Sequence, residues 1–167
     1  MVKNTMQTEY IISTVVENKS GVLYRACNVF RQRGYNIKSI TVGELDDKTM
    51  SRMTFTIDAK EDEVRQLVKV MEKQVDVVNA KILDHKKTIK KELALIKINV
   101  DTPDKIPEIR AISNIGTIIE ETLNNIMVEI TGTSEKIDEF MKAASKFGKI
   151  EVARTGTTAL ESGKENE

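Results

Sequence analysis

Between Tyr10 and Phe30 the hydrophobic period of this chain changes once, and that change confines what it can fold into. Tyr10 to Val16 is an apolar, β-branched run, as a buried strand requires. The run stops at Asn18, Ser20 and Gly21, and a helical period follows with Leu23, Ala26, Cys27 and Phe30 on one face. Ser20 is placed to cap the helix, Gly21 lets backbone approach closely at its start, and Gly34 ends it before the β-branched run Ile37 to Val42. Two readings of the turn stand side by side. Ser20 and Gly21 merely cap and turn, or the unpaired N–H groups and partial positive charge of the helix start receive a small carboxylate or phosphate.

The same switching of period recurs along the chain. Ile37 to Leu45 and Met50 to Ile57 flank the polar turn Asp46–Thr49, and Met53, Phe55 and Ile57 alternate with Arg52, Thr54 and Thr56, so a hairpin with one buried face is expected. Glu61 to Lys73 reads as a helix burying Val64, Leu67, Val68 and Met71, with Glu61, Asp62 and Glu63 suited to its positive end. Val75 to Leu83 supplies a fourth strand, completing β-α-β-β-α-β. The lysine-rich stretch His85–Lys91 breaks the pattern and reads as a linker. Beyond it come a strand to Val100, a helix Asp104 to Asn114, a hairpin of Thr117 to Thr122 and Ile126 to Thr131, a helix around Ile137 and Phe140, and a strand Ile150 to Ala153. The apolar spacing of Glu63–Lys69 reappears in Lys136–Lys142, an internal echo pointing to two similar domains. The expected class is therefore α+β, with two ferredoxin-like βαββαβ domains. Residues 1–84 form the first (1–8 loosely ordered), 85–91 the linker, 92–157 the second, and 158–167 a disordered tail.

Several kinds of chemistry are excluded or left unsupported. The formal net charge is zero, so no overall field favours nucleic acid or an anionic membrane. Phe55 alone on the third strand is too little for an RNA-stacking sheet. The single cysteine, Cys27, lies on the apolar helix face and suits packing better than reactivity, and the single histidine, His85, has no partner at metal-ligand spacing. Neither a catalytic triad nor a glycine-rich phosphate loop can be assembled. An acylphosphatase-like hydrolase would use the first loop and an arginine, but Arg25 lies a turn into the helix and the rest of that cradle is missing. Met1 to Thr8 has no apolar signal core and no run is long enough to span a bilayer, so a cytoplasmic location is expected.

Three segments carry a family resemblance: Glu17-Asn18-x-Ser20-Gly21-Val22-Leu23-x-Arg25, Phe30-x-x-Arg33-Gly34-Tyr35-Asn36-Ile37, and Ser51-Arg52-Met53-Thr54. Together they resemble the regulatory (small) subunits of acetolactate synthase, also called acetohydroxyacid synthase, and Glu151–Gly156 is similar to that family's ending. The resemblance implies an N-terminal ACT domain and a C-terminal ferredoxin-like domain. It also implies a homodimer formed through ACT edge strands, which activates a separate catalytic subunit and confers feedback inhibition by valine in branched-chain amino-acid biosynthesis. Such a chain is not itself an enzyme. Thiamine diphosphate, magnesium and FAD are expected on the catalytic subunit, and Asn124-Asn125 here lacks the upstream Gly-Asp-Gly of a thiamine diphosphate motif.

In that family the effector sits between two ACT domains. The matching positions are Asn18, Gly21 and Asn36, flanked by Lys19, Ser20, Val22, Leu23 and Ile37. The residue types suit the task. Backbone N–H groups from Ser20 to Leu23 would hold the carboxylate, the Asn18 and Asn36 carbonyls would accept from the ammonium, and Val22 and Ile37 would face the isopropyl group. Asn36 also reads as a plain turn residue after Gly34. An ACT-type sensor serving a different enzyme is the other reading of the same residues.

Overall fold

The computed structural model describes residues 8–100 and 102–163. Two compact units divide them: one runs to Ile89 and takes in the chain again from Thr157, and the other is Lys90–Gly156.

The first unit begins with strand β1 (Thr8–Glu17), helix α1 (Val22–Gln32), strands β2 (Ile37–Glu44) and β3 (Met50–Ala59), helix α2 (Glu61–Met71) and strand β4 (Val77–Ile82). The strands lie antiparallel in the order β2-β3-β1-β4, leaving β2 at an edge. Both helices pack on one sheet face, where Ile12, Val16, Met53, Phe55 and Ile57 meet Phe30 of α1 and Leu67 of α2. The Phe30 and Phe55 rings lie 4.6 Å apart between centroids. Helix α1 is one residue out of the expected phase. It starts at Val22, so the buried stripe is Val22, Ala26, Val29 and Phe30, while Cys27 is only partly covered and Leu23 is 44% exposed. Burial of Cys27 pushes its thiol pKa up, away from reactivity. At the other end Gly34, at φ +73°, takes a left-handed turn, and the Tyr35 and Gly34 N–H groups close on the Phe30 and Arg31 carbonyls (both 3.1 Å). That is a Schellman cap, which glycine favours.

The other face of this sheet departs from the expected solvent-facing pattern. Thr54 and Thr56 are only 2% and 3% exposed, and Ser13 is buried beside them. The chain end crosses this face as strand β9 (Thr158–Glu161), where a disordered tail was expected from residue 158. Thr41 Oγ1 donates to the Thr157 carbonyl (3.0 Å), and the Thr157 N–H donates to Ser39 Oγ (3.3 Å). Ala159 packs with Ile11 and Leu83, Glu161 pairs with Lys81, and the Ser162 N–H meets the Lys87 carbonyl at 2.6 Å. Main-chain hydrogen bonds, one small residue turned inward and one matched charge together hold a segment too polar to announce itself as a strand. Residues 1–7 and 164–167, parts of the expected loose terminus and tail, lie outside the described residues.

The second unit repeats the plan with β5 (Thr88–Val100), α3 (Ile106–Ile112), β6 (Thr117–Glu121), β7 (Asn125–Gly132), α4 (Ser134–Ala144) and β8 (Gly148–Arg154), in the strand order β6-β7-β5-β8. Ala94, Ile96, Ile98 and Val100 face Ile109, Ile137 and Phe140. The expected helix 104–114 is broken into a 3₁₀ turn (Pro103–Lys105), α3 and a second 3₁₀ turn (Ser113–Ile115). Pro103 and Pro107 withhold two amide donors, and Ser113 Oγ donates to the Ile109 carbonyl at 2.7 Å. The expected linker is shorter than its lysines imply, since β5 already starts at Thr88. Glu92 is buried in that strand because Arg154 Nη2 meets its Oε2 at 2.5 Å, while Arg154 Nη1 reaches Asp138 at 2.6 Å. Burial disfavours the Arg154 charge, but the two carboxylates outweigh it and raise its pKa.

Candidate functional site

The turn between β1 and α1 is held from three sides. The Asn18 N–H donates to the Thr49 carbonyl (2.7 Å), and Asn18 Nδ2 donates to Glu44 Oε1 and to the Lys48 carbonyl, both at 3.0 Å. Two acceptors facing the same side-chain end fix the amide orientation, so the NH₂ points inward and Oδ1 is left as an acceptor. Lys19 Nζ pairs with Glu17 at 2.8 Å, which raises the lysine pKa chiefly through that hydrogen bond. The cap of α1 is Gly21, with no side-chain cap bond, rather than the Ser20 expected. Its φ of +83° is left-handed, a conformation that disfavours any side chain at this point. The Val22 N–H turns back to the Lys19 carbonyl (3.3 Å), and the first-turn N–H groups that follow it are left to water or a ligand rather than to a hydroxyl.

Arg25 completes the surroundings, and its part was not foreseen. Its Nη1 lies 3.1 Å from where a Cβ on Gly21 would stand, and its Nε bonds Asp76 Oδ2 at 2.6 Å, tying the helix start to the residue before β4. Each partner favours the other's charged form: the hydrogen bond raises the arginine pKa and lowers that of Asp76. A glycine without a Cβ, helix N–H groups and a guanidinium thus converge, an arrangement suited to a carboxylate. The apolar helical period of α1 did not carry this signal. Only the packing that brings Asp76 beside Arg25 reveals it.

The predicted set divides between two places. Asn18, Lys19, Ser20 and Gly21 line the turn, all exposed or partly so, and Leu23 stands beside them at 44% exposure. Val22 does not join them, being 3% exposed in the core, so it offers no surface to a ligand. Asn36 is exposed and Ile37 half-buried at the other end of the sheet. Register makes the separation plain: Glu17 pairs Met50 and Glu44 pairs Ser51 at one end, whereas Ile37 pairs Ile57 at the other. Six strand residues, about 20 Å, lie between them. One chain does not bring the two groups together.

Beyond this site the chemistry is sparse. Among the described residues no group of three or more His, Cys, Asp or Glu side chains stands together as a metal site. His85 makes a ring contact with Tyr10 at 6.1 Å. The Asn124 and Asn125 N–H groups bond Thr122 Oγ1 at 3.3 and 3.1 Å, closing the β6–β7 turn. No helix among the described residues is long and apolar enough to cross a membrane.

The chain has counterparts among known proteins. Residues 12–79 match the family model of the AHAS small subunit-like ACT domain, and residues 91–163 match that of the small subunit of acetolactate synthase. The chain belongs to the acetolactate synthase small-subunit family. It is 38% identical over 156 residues to a probable acetolactate synthase small subunit of Methanothermobacter thermautotrophicus, covering 92% of this chain and 93% of that one. The small subunit of Bacillus subtilis is also 38% identical over 156 residues, covering 92% and 90%. The crystal structure of the acetolactate synthase small subunit from Thermotoga maritima matches at TM-score 0.86 and 32% identity, covering 95% of this chain and 99% of that chain. The first unit of this small-subunit family member is thus its ACT domain, within an α+β fold of two βαββαβ units.

Proposed function

We propose that this chain is the regulatory subunit of an acetolactate synthase, activating a separate catalytic subunit in branched-chain amino-acid biosynthesis and transmitting feedback inhibition by valine. The chain takes no catalytic step. Thiamine diphosphate, magnesium and FAD belong to the catalytic subunit, which supplies the chemistry.

The observation that carries the reading is the position of β2. As an edge strand it leaves a row of backbone groups unpaired, and a second copy added antiparallel would satisfy them. Antiparallel pairing of β2 with itself sets the Ile37 end of one copy against the Glu44 end of the other. Asn18 is bonded to Glu44, so each turn would meet the other copy's Asn36 and Ile37. The two groups that one chain holds about 20 Å apart would then close two equivalent seam sites. In each, the α1 N–H groups and Arg25 receive the valine carboxylate, Asn18 Oδ1 and the second copy's Asn36 accept from the ammonium, and Leu23 and Ile37 flank the isopropyl group. A ligand at a seam changes how the copies fit, which is what feedback coupling of about 1–3 kcal/mol requires.

Calorimetric titration of the homodimer with valine, and reconstitution with the catalytic subunit with and without valine, test this. Gly21→Asp places a carboxylate where the ligand's should lie; Asp tolerates left-handed backbone better than most side chains, and the variant is expected to lose valine binding while circular dichroism and sizing show it folded and dimeric. An unchanged titration of that variant would refute the site.

A further inference from the structure

We propose that the Arg154–Ser162 segment is a transmission strap through which the state of the β2 seam reaches the second unit. The strap has this role only if β2 is the effector seam proposed above.

The strap's attachment to β2 is specific. Ser39 Oγ accepts the Thr157 N–H at 3.3 Å while donating to Thr56 Oγ1 at 3.0 Å, and Thr41 Oγ1 donates to the Thr157 carbonyl at 3.0 Å. Both main-chain polar groups of one residue are thereby held by alternate side chains of the edge strand, as a neighbouring strand would hold them. From there the segment crosses the sheet face to Ile11 of β1 and Lys81 of β4. A shift of β2 against its copy must carry Thr157 with it or break these bonds.

Immediately upstream the chain is anchored just as firmly in the other unit. The Thr155 N–H donates to the Leu93 carbonyl at 3.1 Å, and Arg154 is held by Glu92 and Asp138. Between the two anchors lies one residue, Gly156, at φ +81°. Three successive residues reach no further than about 11 Å, so the link between the anchors is short. Coupling of this sort needs an element whose position both sites bias, and the strap is bonded at each end to one of them. A tail serving only to cover apolar surface would need neither the clamp on Thr157 nor the adjacent anchor.

Slackening the tether separates the two roles. Inserting Gly-Ser-Gly-Ser after Gly156 keeps the residues of both anchors and of the strap but lengthens the link between them. In the full chain, valine binding by titration is expected to stay within about threefold, and activation of the reconstituted holoenzyme to persist. The valine concentration for half-inhibition is expected to rise at least tenfold. Thr41→Val is expected to act in the same direction and Thr41→Ser, which keeps the hydroxyl, to restore inhibition. If the insertion variant binds valine and is inhibited as the wild type is, the strap is not the transmitter, and the effector site stands. A wild-type chain that does not bind valine removes the effector reading and the strap with it.

Discussion

Asn18 offers the sharpest measure of how the turn between β1 and α1 is built. Its amide gives two hydrogen bonds, to Glu44 Oε1 and the Lys48 carbonyl, both at 3.0 Å. Asn18→Ala removes both, and at about 0.5–1.5 kcal/mol each, toward the lower end on an exposed turn, the loss is about 1–2 kcal/mol. Asn18→Asp removes the same donors and sets a second carboxylate against Glu44. Two like charges at 4 Å in water repel by about 1 kcal/mol, so this variant is expected to lose about 2–3 kcal/mol. For a unit of this size each kcal/mol lowers Tm by about 4–8 °C. Thermal melts at pH 7 and low salt should therefore rank wild type above Ala above Asp. Added salt should shrink only the gap between Ala and Asp, because screening acts on the repulsion and not on the missing donors. Below about pH 4 the introduced carboxyl gains a proton, loses its repulsion and gains one O–H that can serve one of the two acceptors, so the Asp variant should recover to about the level of the Ala variant or slightly above it. Equal melting of all three proteins would refute the orientation of the amide, and with it the assignment of Oδ1 as the free acceptor.

Two further expectations concern other parts of the molecule. A Cβ on Gly116 would lie 2.4 Å from the Glu129 carbonyl oxygen and 2.8 Å from Ile130 Cγ1, so Gly116→Ala forces β6 from β7 and should destabilise the second unit by about 1–3 kcal/mol or more, read from urea unfolding. The Arg25 hydrogen bond holds the Asp76 pKa below the usual carboxylate value, so the stabilisation that it brings is present above about pH 4 and lost as pH falls through the folded-state value. Arg25→Gln should therefore be less stable than wild type at pH 7, with the difference shrinking as pH falls through the lowered Asp76 value, and a difference independent of pH would contradict the pairing.

The order of strands and helices was legible because each depends on a short-range pattern. A β-branched run followed by a helical period, twice over, leaves few alternatives to two βαββαβ units, and Val64, Leu67, Val68 and Met71 are buried as their spacing requires. The residues at the α1 turn could be named for the same reason, since a strand end, a glycine and a helix start are adjacent in sequence. Phase was harder. Val22 and Leu23 are apolar neighbours, and it is the docking of the helix on the sheet that turns Val22 inward and Leu23 outward.

What sequence alone determined, then, is the identity of the elements and the chemical type of the residues beside the first turn, because periodicity and turn chemistry act over a few residues. Only tertiary structure decided what those residues meet. Arg25 found Asp76 across 51 positions, Thr41 found Thr157 across 116, and Asn18 and Asn36 fell at opposite ends of one sheet. Such pairings are set by strand order and register, which place distant segments side by side without any local pattern to mark them.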